Sequence, residues 1–425
     1  MGDDERYNNS DWISDIIRHV VDNYNNRKIV LWGKYIVSDI IKNILEEKYK
    51  IMICFYVDSD EMMQDGKDVL DPSYLDGKST EFYVIVPLAY YESLKKKLVV
   101  YGYKKIKDYY YFCDCIIKHS DNYYEDSHGN KVIGNHKGLK FVFSGFNSIV
   151  EIEKGVKFSE SSIYIHSYSK VIIGSNSRVL ETEISIDIHS EIEIGRDCTL
   201  TKTIFSALKN CTIKIGDKCN IQIHSLVLMD FSFFITGYGN TIVCNEYISL
   251  NKNSILEIGY NSIISGLTQV LMGKNSNLYI GNKNHIGERA IFMVSNFTKI
   301  KIGNGCLLSK DIVFCSNDFH SIFDVKTKKN INSTKEICNK RKIDIGDHVW
   351  IGIRSTILYN TKIGNGSIVG AGSLVKSTFP NNCIAAGTPA KIVRRNVAWS
   401  NKDCSMDISD CGEKYIHLTE EWIEE

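Results

Sequence analysis

Isoleucine and valine recur with two different spacings, and the change of spacing divides the sequence. From about residue 140, short segments of the form apolar-x-apolar-Gly return every 21 or 22 residues, as in residues 171–174, 192–195 and 213–216. Over residues 343–395 an apolar side chain recurs about every six residues. Alternation within such short segments predicts strands with one buried face, separated by tight polar corners. The repeat therefore predicts stacked coils around one continuous aliphatic column.

The last coils have the shortest repeat. Their step of 18 residues equals three hexapeptides, which is one coil of a left-handed parallel β-helix; a right-handed parallel β-helix is the alternative for the longer steps. The interval of 43 residues between Gly303 and Gly346 is too long for one coil and predicts an excursion over residues 316–342. The glycines expected at the corners, where positive φ or close backbone approach is needed, are Gly346, Gly352, Gly364, Gly370 and Gly372. The side chains expected to stack inward are Ile343, Ile345, Ile351, Ile357, Ile363, Val369 and Val375.

The first 115 residues have a different pattern, in which apolar runs alternate with segments of helical spacing. Such alternation predicts a small parallel α/β domain of Rossmann-like type over residues 1–115. Only Gly33 stands where a dinucleotide-binding loop needs three glycines, so we do not expect a bound dinucleotide, and a ligand-binding and a scaffold role both remain open. The predicted strands are 27–33, 50–60, 81–87 and 105–112, and the predicted helices are 10–25, 34–49 and 90–103.

Two polar segments complete the predicted organisation. Residues 116–139 have the composition of a linker, which places the β-helix domain at 140–395. Residues 396–425 follow the last coil, and the end of a solenoid needs a cap. Trp399 and Trp422 are the apolar side chains expected to close it.

Composition excludes several classes of protein. The 51 basic and 51 acidic residues cancel, which gives no global electrostatic case for binding nucleic acid. No run of eighteen apolar residues predicts an integral membrane segment, and the polar, acidic start is unlike a secretory signal, so we expect a cytoplasmic protein. Its 13 cysteines lack metal-binding spacing and are expected to be reduced thiols.

Three stretches resemble one known family. Residues 343–395 carry the hexapeptide repeat, residues 370–373 read GAGS, and residues 386–395 read AGTPAKIVRR. Together they resemble the hexapeptide-repeat (left-handed β-helix) acyltransferases, particularly O-acetyltransferases of bacterial surface polysaccharides and sialic acids. The resemblance implies acetyl-CoA as co-substrate, a sugar or polysaccharide acceptor, and a homotrimer with each cleft between two neighbouring prisms.

The catalytic candidates lie at the start of the excursion. Residues 315–324, CSNDFHSIFD, resemble the family's catalytic box, which implies that His320 is the general base. Imidazole titrates near neutrality, so it can take the proton of a sugar hydroxyl and return it to the leaving thiolate. Asp318 and Asp324 either orient His320, bind the sugar, or only cap turns.

Trp350 occupies the position of an active-site tryptophan in the surface-sugar subgroup. Its indole can donate a hydrogen bond near the thioester and offer a wall for a sugar ring, and the alternative is corner packing. We expect His348 to be structural. A backbone N–H from a glycine turn such as Gly352 or Gly370 is the expected oxyanion donor.

Coenzyme A is expected along the last coils. The resemblance implies contacts at Gly352, Gly370, Ala371, Gly372, Ala386 and Gly387, with Lys391 and Arg394 meeting the phosphates. Lys376 stands one position away from the family's usual lysine, which puts its phosphate contact in doubt.

The combined interpretation is an acetyl-CoA-dependent O-acetyltransferase of a bacterial surface glycan, such as capsule, lipopolysaccharide or a sialic acid-type sugar. N-acetylation of an amino sugar or nucleotide sugar, and a non-catalytic scaffold or glycan-binding module, are the alternatives. Zinc chemistry is not expected, because His285, His320 and His348 lie far apart in the sequence and no metal-binding pair occurs.

Overall fold

The chain divides into two compact units. The computed structural model describes residues 11–33, 36–57, 69–86, 92–104, 109–111, 116–126, 128–223, 225–244, 247–402 and 405–420. The first unit holds Met1–Lys131 and Phe143–Ser148, and the second holds Val132–Val142 and Ile149–Glu425.

The first unit contains a parallel sheet whose strand order is β3-β2-β1-β4-β5. Within the described residues of this unit the predicted strands and helices are present, and the two-residue strand β3 is one that the sequence pattern missed. Val30, Val57 and Val84, on the three central strands, are buried in its core. Its elements are α1 (Asp11–Asn23), β1 (Lys28–Trp32), α2 (Ile36–Tyr49), β2 (Ile53–Val57), β3 (Val69–Leu70), β4 (Phe82–Val86), α3 (Glu92–Val100) and β5 (Tyr109–Tyr111), with a 3₁₀ turn at Pro72–Leu75.

The prediction of a linker over residues 116–139 is wrong, because the segment contains strands. The first two strands pair antiparallel. The carboxylate of Asp126 is buried and accepts hydrogen bonds from the backbone N–H groups of His128 (2.9 Å) and Asn130 (3.0 Å). The polar side chains that suggested a solvated linker therefore close a turn. The strands are β6 (Ile116–Ser120), β7 (Tyr123–Asp126) and β8 (Lys131–Ile133).

The second unit is a parallel β-solenoid whose coils each contribute one strand to three sheets, here called faces one, two and three. Face one contains β10 (Ile149–Ile152), β13 (Lys170–Ile173), β16 (Glu191–Ile194), β19 (Thr212–Ile215), β22 (Phe233–Thr236), β25 (Ile255–Ile258), β28 (Asn277–Ile280), β31 (Lys299–Ile302), β34 (Lys342–Ile345), β37 (Thr361–Ile363) and β40 (Thr378–Phe379). Face two contains β11 (Lys157–Ser159), β14 (Arg178–Leu180), β17 (Thr199–Thr201), β20 (Asn220–Ile223), β23 (Thr241–Cys244), β26 (Ile263–Ile264), β29 (His285–Ile286), β32 (Leu307–Leu308), β35 (Trp350–Ile351), β38 (Ile368–Val369), β41 (Cys383–Gly387) and β42 (Ala390–Arg395). Face three contains β9 (Leu139–Phe143), β12 (Ser161–Ile165), β15 (Glu183–Ile186), β18 (Ile204–Ala207), β21 (Leu226–Leu228), β24 (Ile248–Leu250), β27 (Gln269–Met272), β30 (Ile291–Val294), β33 (Val313–Cys315), β36 (Thr356–Leu358) and β39 (Leu374–Val375).

The aliphatic column predicted from the repeat is buried as expected. All seven inward positions named for the last coils are at most 1% exposed. Of the five corner glycines, only Gly372 has a positive φ (66°). The others meet the second expectation, close approach: an added Cβ would lie 2.6 Å from the Ala371 nitrogen at Gly352 and 2.3 Å from the Asn381 nitrogen at Gly364.

The predicted excursion is present. Residue 299 of β31 pairs with residue 342 of β34, 43 positions later, so the chain leaves the solenoid after β33 ends at Cys315 and returns in register at Lys342. It contains one short helix, α4 (Lys335–Cys338), capped by Thr334. The excursion thus opens at the corner that joins face three to face one.

The last coil ends in an antiparallel hairpin of β41 and β42. Beyond it, the tail contains 3₁₀ turns at Ile408–Cys411 and Glu413–Tyr415. Trp399 is buried at 6% exposure, as expected of a cap, whereas Trp422 lies outside the described residues.

Two properties of the described ranges concern membranes and metal ions. Within them, no helix combines the length and the apolar character needed to cross a bilayer. In the same ranges, no three His, Cys, Asp or Glu side chains form a group that could hold a metal ion.

Candidate active site

Asp318 is the most highly connected carboxylate at the mouth of the excursion. Its Oδ2 accepts hydrogen bonds from Asn332 Nδ2 (3.1 Å), Arg341 Nη1 (3.2 Å) and Tyr359 OH (3.3 Å). Partial burial alone would raise the pKa of Asp318. The hydrogen bonds from Asn332 and Tyr359 and the nearby positive charges outweigh it and lower that pKa. Asp318 is therefore held as a carboxylate.

The main chain of His320 is fixed by hydrogen bonds, and the residue is exposed. Its N–H donates to the Asp318 carbonyl oxygen at 2.8 Å, and its own carbonyl oxygen accepts from Asn332 Nδ2 at 2.8 Å. The residue is exposed to solvent. An accessible imidazole on a fixed main chain is suited to exchange a proton with a bound hydroxyl.

Asp324 has a different environment from Asp318. Its Oδ1 accepts from the N–H (2.7 Å) and the hydroxyl (2.9 Å) of Thr327, near the tip of the excursion. Both bonds lower the pKa of Asp324, and the bond from the Thr327 N–H has the larger effect. Of the roles left open for Asp324, the geometry matches turn capping.

Trp350 lies on face two and is 38% exposed. Its Nε1 donates to the Ser309 hydroxyl at 3.4 Å, which is a long and therefore weak hydrogen bond. The neighbouring His348 packs against the tail, with its ring 4.1 Å from that of Trp399 and 4.4 Å from that of Tyr415. His348 thus has the structural surroundings expected for it.

The residues assigned to coenzyme A cluster at the corner between face two and face three. Gly352 and Gly370 stand at equivalent positions of successive coils, and an added Cβ at Gly370 would lie 2.8 Å from the Ala386 Cβ. Ala371 and Gly372 are exposed beside them. Gly387, with φ of 105°, donates its N–H to the Ser373 hydroxyl at 3.1 Å. Small residues leave the backbone of this corner open to a ligand.

Neither glycine proposed as oxyanion donor has a free N–H. Gly352 donates to the Val369 carbonyl oxygen at 2.8 Å, and Gly370 donates to the Ala385 carbonyl oxygen at 2.9 Å. Both bonds belong to the ladder between coils. The sequence pattern does not show which corner amides are hydrogen-bonded between coils, and these two named candidates are.

The predicted phosphate-binding cations divide between two places. Lys391 and Arg394 lie exposed on β42, where their backbones pair with Ala386 and Ile384 of β41. Lys376 instead follows face three, and its Nζ donates to the Tyr359 hydroxyl at 3.0 Å. Lys376 is thereby connected to the Asp318 cluster.

Three residues of the site were missed from the sequence: Asn332, Arg341 and Tyr359. Arg341 lies between Lys340 and Lys342, and three consecutive basic residues are typical of a solvent-exposed segment. In the structure Arg341 is nevertheless only 6% exposed. The only available signal for Asn332 was its place inside the excursion.

Within one chain the predicted residues occupy three places. Asp318, His320 and Lys376 stand at the corner between face three and face one, Trp350 lies on face two, and the small residues lie at the corner between face two and face three. A further surface groove, about 470 Å³ in volume, lies on face one between Glu257, Tyr279 and Lys301 and touches none of these residues.

Comparisons with known proteins agree with the repeat. Residues 342–377 match the bacterial transferase hexapeptide (six repeats) family, which confirms the hexapeptide repeat in the last coils. The chain is 32% identical over 118 residues to a polysialic acid O-acetyltransferase of Escherichia coli O1:K1, covering 27% of this chain and 36% of that protein. It is 37% identical over 86 residues to a putative lipopolysaccharide biosynthesis O-acetyltransferase of Escherichia coli K12, covering 20% of this chain and 44% of that protein.

The matches to these curated relatives span less than half of their length. Among solved structures, the polySia-specific acetyltransferase NeuO is 22% identical to this chain, with a TM-score of 0.30, over 65% of this chain and 97% of that one.

Proposed function

We propose that the protein is an acetyl-CoA-dependent O-acetyltransferase of a bacterial surface glycan. One observation carries the proposal: the excursion that interrupts a hexapeptide repeat holds an exposed histidine, His320, on a main chain fixed by two hydrogen bonds. The named relatives that share the repeat are O-acetyltransferases of polysialic acid and, putatively, of lipopolysaccharide.

The proposed step is direct transfer. His320 takes the proton of an acceptor hydroxyl while the oxygen of that hydroxyl forms a bond to the acetyl carbonyl carbon. The carbon–sulfur bond then breaks, and the imidazolium returns the proton to the thiolate of coenzyme A. The indole N–H of Trp350, only weakly bonded to Ser309, is the proposed donor to the oxygen that becomes negatively charged.

Coenzyme A is proposed to lie along the corner between face two and face three. Gly352, Gly370–Gly372, Ala386 and Gly387 offer a small-residue surface for the pantetheine arm. Lys391 and Arg394 are the exposed cations for its phosphates. Because Lys376 is bonded to Tyr359, we assign it to the His320 side of the site.

Two subunits are proposed to share each site. His320 lies at the corner between face three and face one, whereas Trp350 lies on face two of the same prism. A neighbouring copy is therefore needed to bring the imidazole of one subunit beside the indole of the other. A homotrimer of parallel prisms supplies three such clefts.

An acidic acceptor suits the surface around His320. Residues 316–342 carry seven cationic and three anionic side chains in a chain of zero net charge. All six of their lysines are exposed. Such a surface attracts a carboxylate-bearing glycan more strongly than a neutral one.

Residues 1–115, within the first unit, are proposed to be a Rossmann-like domain, followed by the catalytic domain at 140–395 and the cap at 396–425. The sheet order of the first unit, β3-β2-β1-β4-β5, equals the first five positions of the 3-2-1-4-5-6 order of doubly wound nucleotide-binding sheets. If it binds a nucleotide sugar, N-acetylation becomes the second candidate reaction. Because acetyl-CoA is the proposed donor, we propose a cytoplasmic location.

Release of free thiol from acetyl-CoA tests the proposal. The purified protein is given sialic acid oligomers, other acidic glycans, neutral glycans and amino sugars, and acetylated products are treated with hydroxylamine, which cleaves acetyl esters but not amides. We expect turnover with an acidic glycan and a labile product. His320→Ala should abolish turnover, whereas the exposed His285→Ala should retain it. Undiminished turnover in His320→Ala contradicts the base assignment, and glycan binding without thiol release favours a binding module.

A further inference from the structure

Asn332 holds the start of the excursion, where His320 lies. Its side chain is buried, with 4% of the residue exposed. One amide group donates both to the carboxylate of Asp318 (3.1 Å) and to the carbonyl oxygen of His320 (2.8 Å), and the amide oxygen accepts from the N–H of Ile322 (2.7 Å). A single buried side chain therefore holds the main chain on both sides of the imidazole.

Arg341 holds the same segment from the returning strand. Its guanidinium is buried and donates to the side-chain oxygens of Asn317 and Asp318. The guanidinium carbon also lies 4.0 Å from the ring centre of Tyr359. A buried cation needs such partners, because desolvation without them costs several kcal/mol.

Tyr359 and Lys376 extend these contacts to the next two coils. Lys376 Nζ donates to the Tyr359 hydroxyl at 3.0 Å, and that hydroxyl donates to Asp318 at 3.3 Å. Residues from the excursion, the returning strand and two further coils thus converge on Asp318, two positions before His320.

We propose that Asn332 and Arg341 are positioning residues that fix the main chain of His320 and thereby aim its imidazole at the acceptor. The inference rests on the proposed function, in which His320 is the base. Neither residue touches the reacting atoms. Removing the donors of Asn332 takes one of three hydrogen bonds from the Asp318 carboxylate and the side-chain bond from the His320 carbonyl oxygen, which lets residues 318–322 adopt alternative conformations. A displacement of about 1 Å at a reacting group can cost roughly 100-fold in rate.

Asn332→Asp is the sharpest variant, because it keeps the shape and the oxygen that Ile322 needs but removes both donors. We expect kcat to fall by about 10–100-fold and KM for acetyl-CoA to change by less than about twofold, since the residues assigned to coenzyme A lie at another corner. Arg341→Lys keeps the charge but not the forked geometry, and should lower kcat in the same direction. Thr327→Ala is the matched control: it removes a hydrogen bond at the exposed tip of the excursion and should leave kcat unchanged.

Amide hydrogen exchange of residues 316–323 gives a readout that does not depend on turnover. The N–H groups of His320 and Ile322 are both hydrogen-bonded in the wild type, so we expect faster exchange in Asn332→Asp and wild-type exchange in Thr327→Ala. If the wild type shows no turnover and residues 316–323 exchange faster in Asn332→Asp, the positioning role stands and the proposed function fails. Wild-type kcat in a folded Asn332→Asp, or unchanged exchange in that variant, would overturn the inference. If Asn332→Asp fails to fold, Arg341→Lys decides by the same two measurements.

Discussion

The indole of Trp399 lies flat against the imidazole of His348, with ring centres 4.1 Å apart and planes 7° from parallel. The two residues also exchange hydrogen bonds: Trp399 Nε1 donates to the His348 carbonyl oxygen at 2.8 Å, and His348 Nε2 lies 2.9 Å from the Trp399 carbonyl oxygen. The tail is thereby fastened to the coil that carries Trp350, whose ring centre is 5.9 Å from that of Trp399.

Trp399→Ala should destabilise the C-terminal end of the solenoid. Truncating a buried tryptophan typically costs about 3–5 kcal/mol, and here it also removes the reciprocal bond to His348. Because solenoids unfold in segments, we expect the first transition in a urea titration to move to lower urea. Met406→Ala, in the same tail but 99% exposed, is the control and should leave that transition in place. Coinciding transitions for the two variants would contradict the capping role.

Gly352→Ala should cost more stability than Gly372→Ala. At Gly352 the new Cβ would lie 2.6 Å from the backbone nitrogen of Ala371 and 2.8 Å from the Val369 oxygen, so the coils must separate. Overpacking of this kind costs about 1–3 kcal/mol or more. At Gly372 the space is open, and only the left-handed backbone opposes alanine, at roughly 1 kcal/mol.

Thermal midpoints of the two alanine variants test this ordering. A smaller loss at Gly352 than at Gly372 would mean that the two coils can move apart without penalty.

The regular part of the solenoid could be predicted because each buried side chain repeats a local pattern. Ile351, Ile357 and Ile363 need only the six-residue period to be placed inside. The interval of 43 residues likewise predicted the excursion. The sequence motif around His320 predicted where the active site should lie.

The network around Asp318 could not be predicted, because its members meet only when the excursion closes on later coils. Arg341 and Tyr359 are one 18-residue coil apart, but the repeat does not show that the guanidinium of Arg341 is buried against that ring and donates to Asn317 and Asp318. The same holds for Asp126, whose polar neighbours look like a linker until the turn forms and its carboxylate accepts their N–H groups. Tertiary pairing of polar groups decides both cases.

The stabilising contribution of Asp318 should be lost in acid. Its pKa is lowered from the ordinary value of 3.8, so folding favours the carboxylate, and the contribution is complete above about pH 4 and lost as pH falls through the lower folded pKa. Asp318→Asn has no such titration.

We expect the thermal midpoint of Asp318→Asn to lie below that of the wild type near pH 6 and the gap to narrow below pH 4. Other acids with lowered pKa, such as Asp217 and Asp311, titrate in both proteins and cancel in the difference. A gap that stays constant from pH 6 to pH 3 would show that Asp318 does not titrate with folding.

Mixed oligomers test whether two subunits share a site. His320→Ala and Trp350→Ala, each with strongly reduced turnover alone, are produced together with different affinity tags, and assemblies carrying both tags are isolated. If a site takes His320 from one subunit and Trp350 from its neighbour, every trimer that carries both tags has one intact site of three, so roughly a third of wild-type turnover should return. The restored fraction should show the wild-type KM for acetyl-CoA, since each restored site is complete. Had both residues come from one subunit, every site would carry one lesion and turnover would stay at the level of the separate variants. Assemblies of Trp350→Ala with the exposed His285→Ala control the count, because half of their sites keep Trp350 whichever arrangement holds, so roughly half of wild-type turnover should remain.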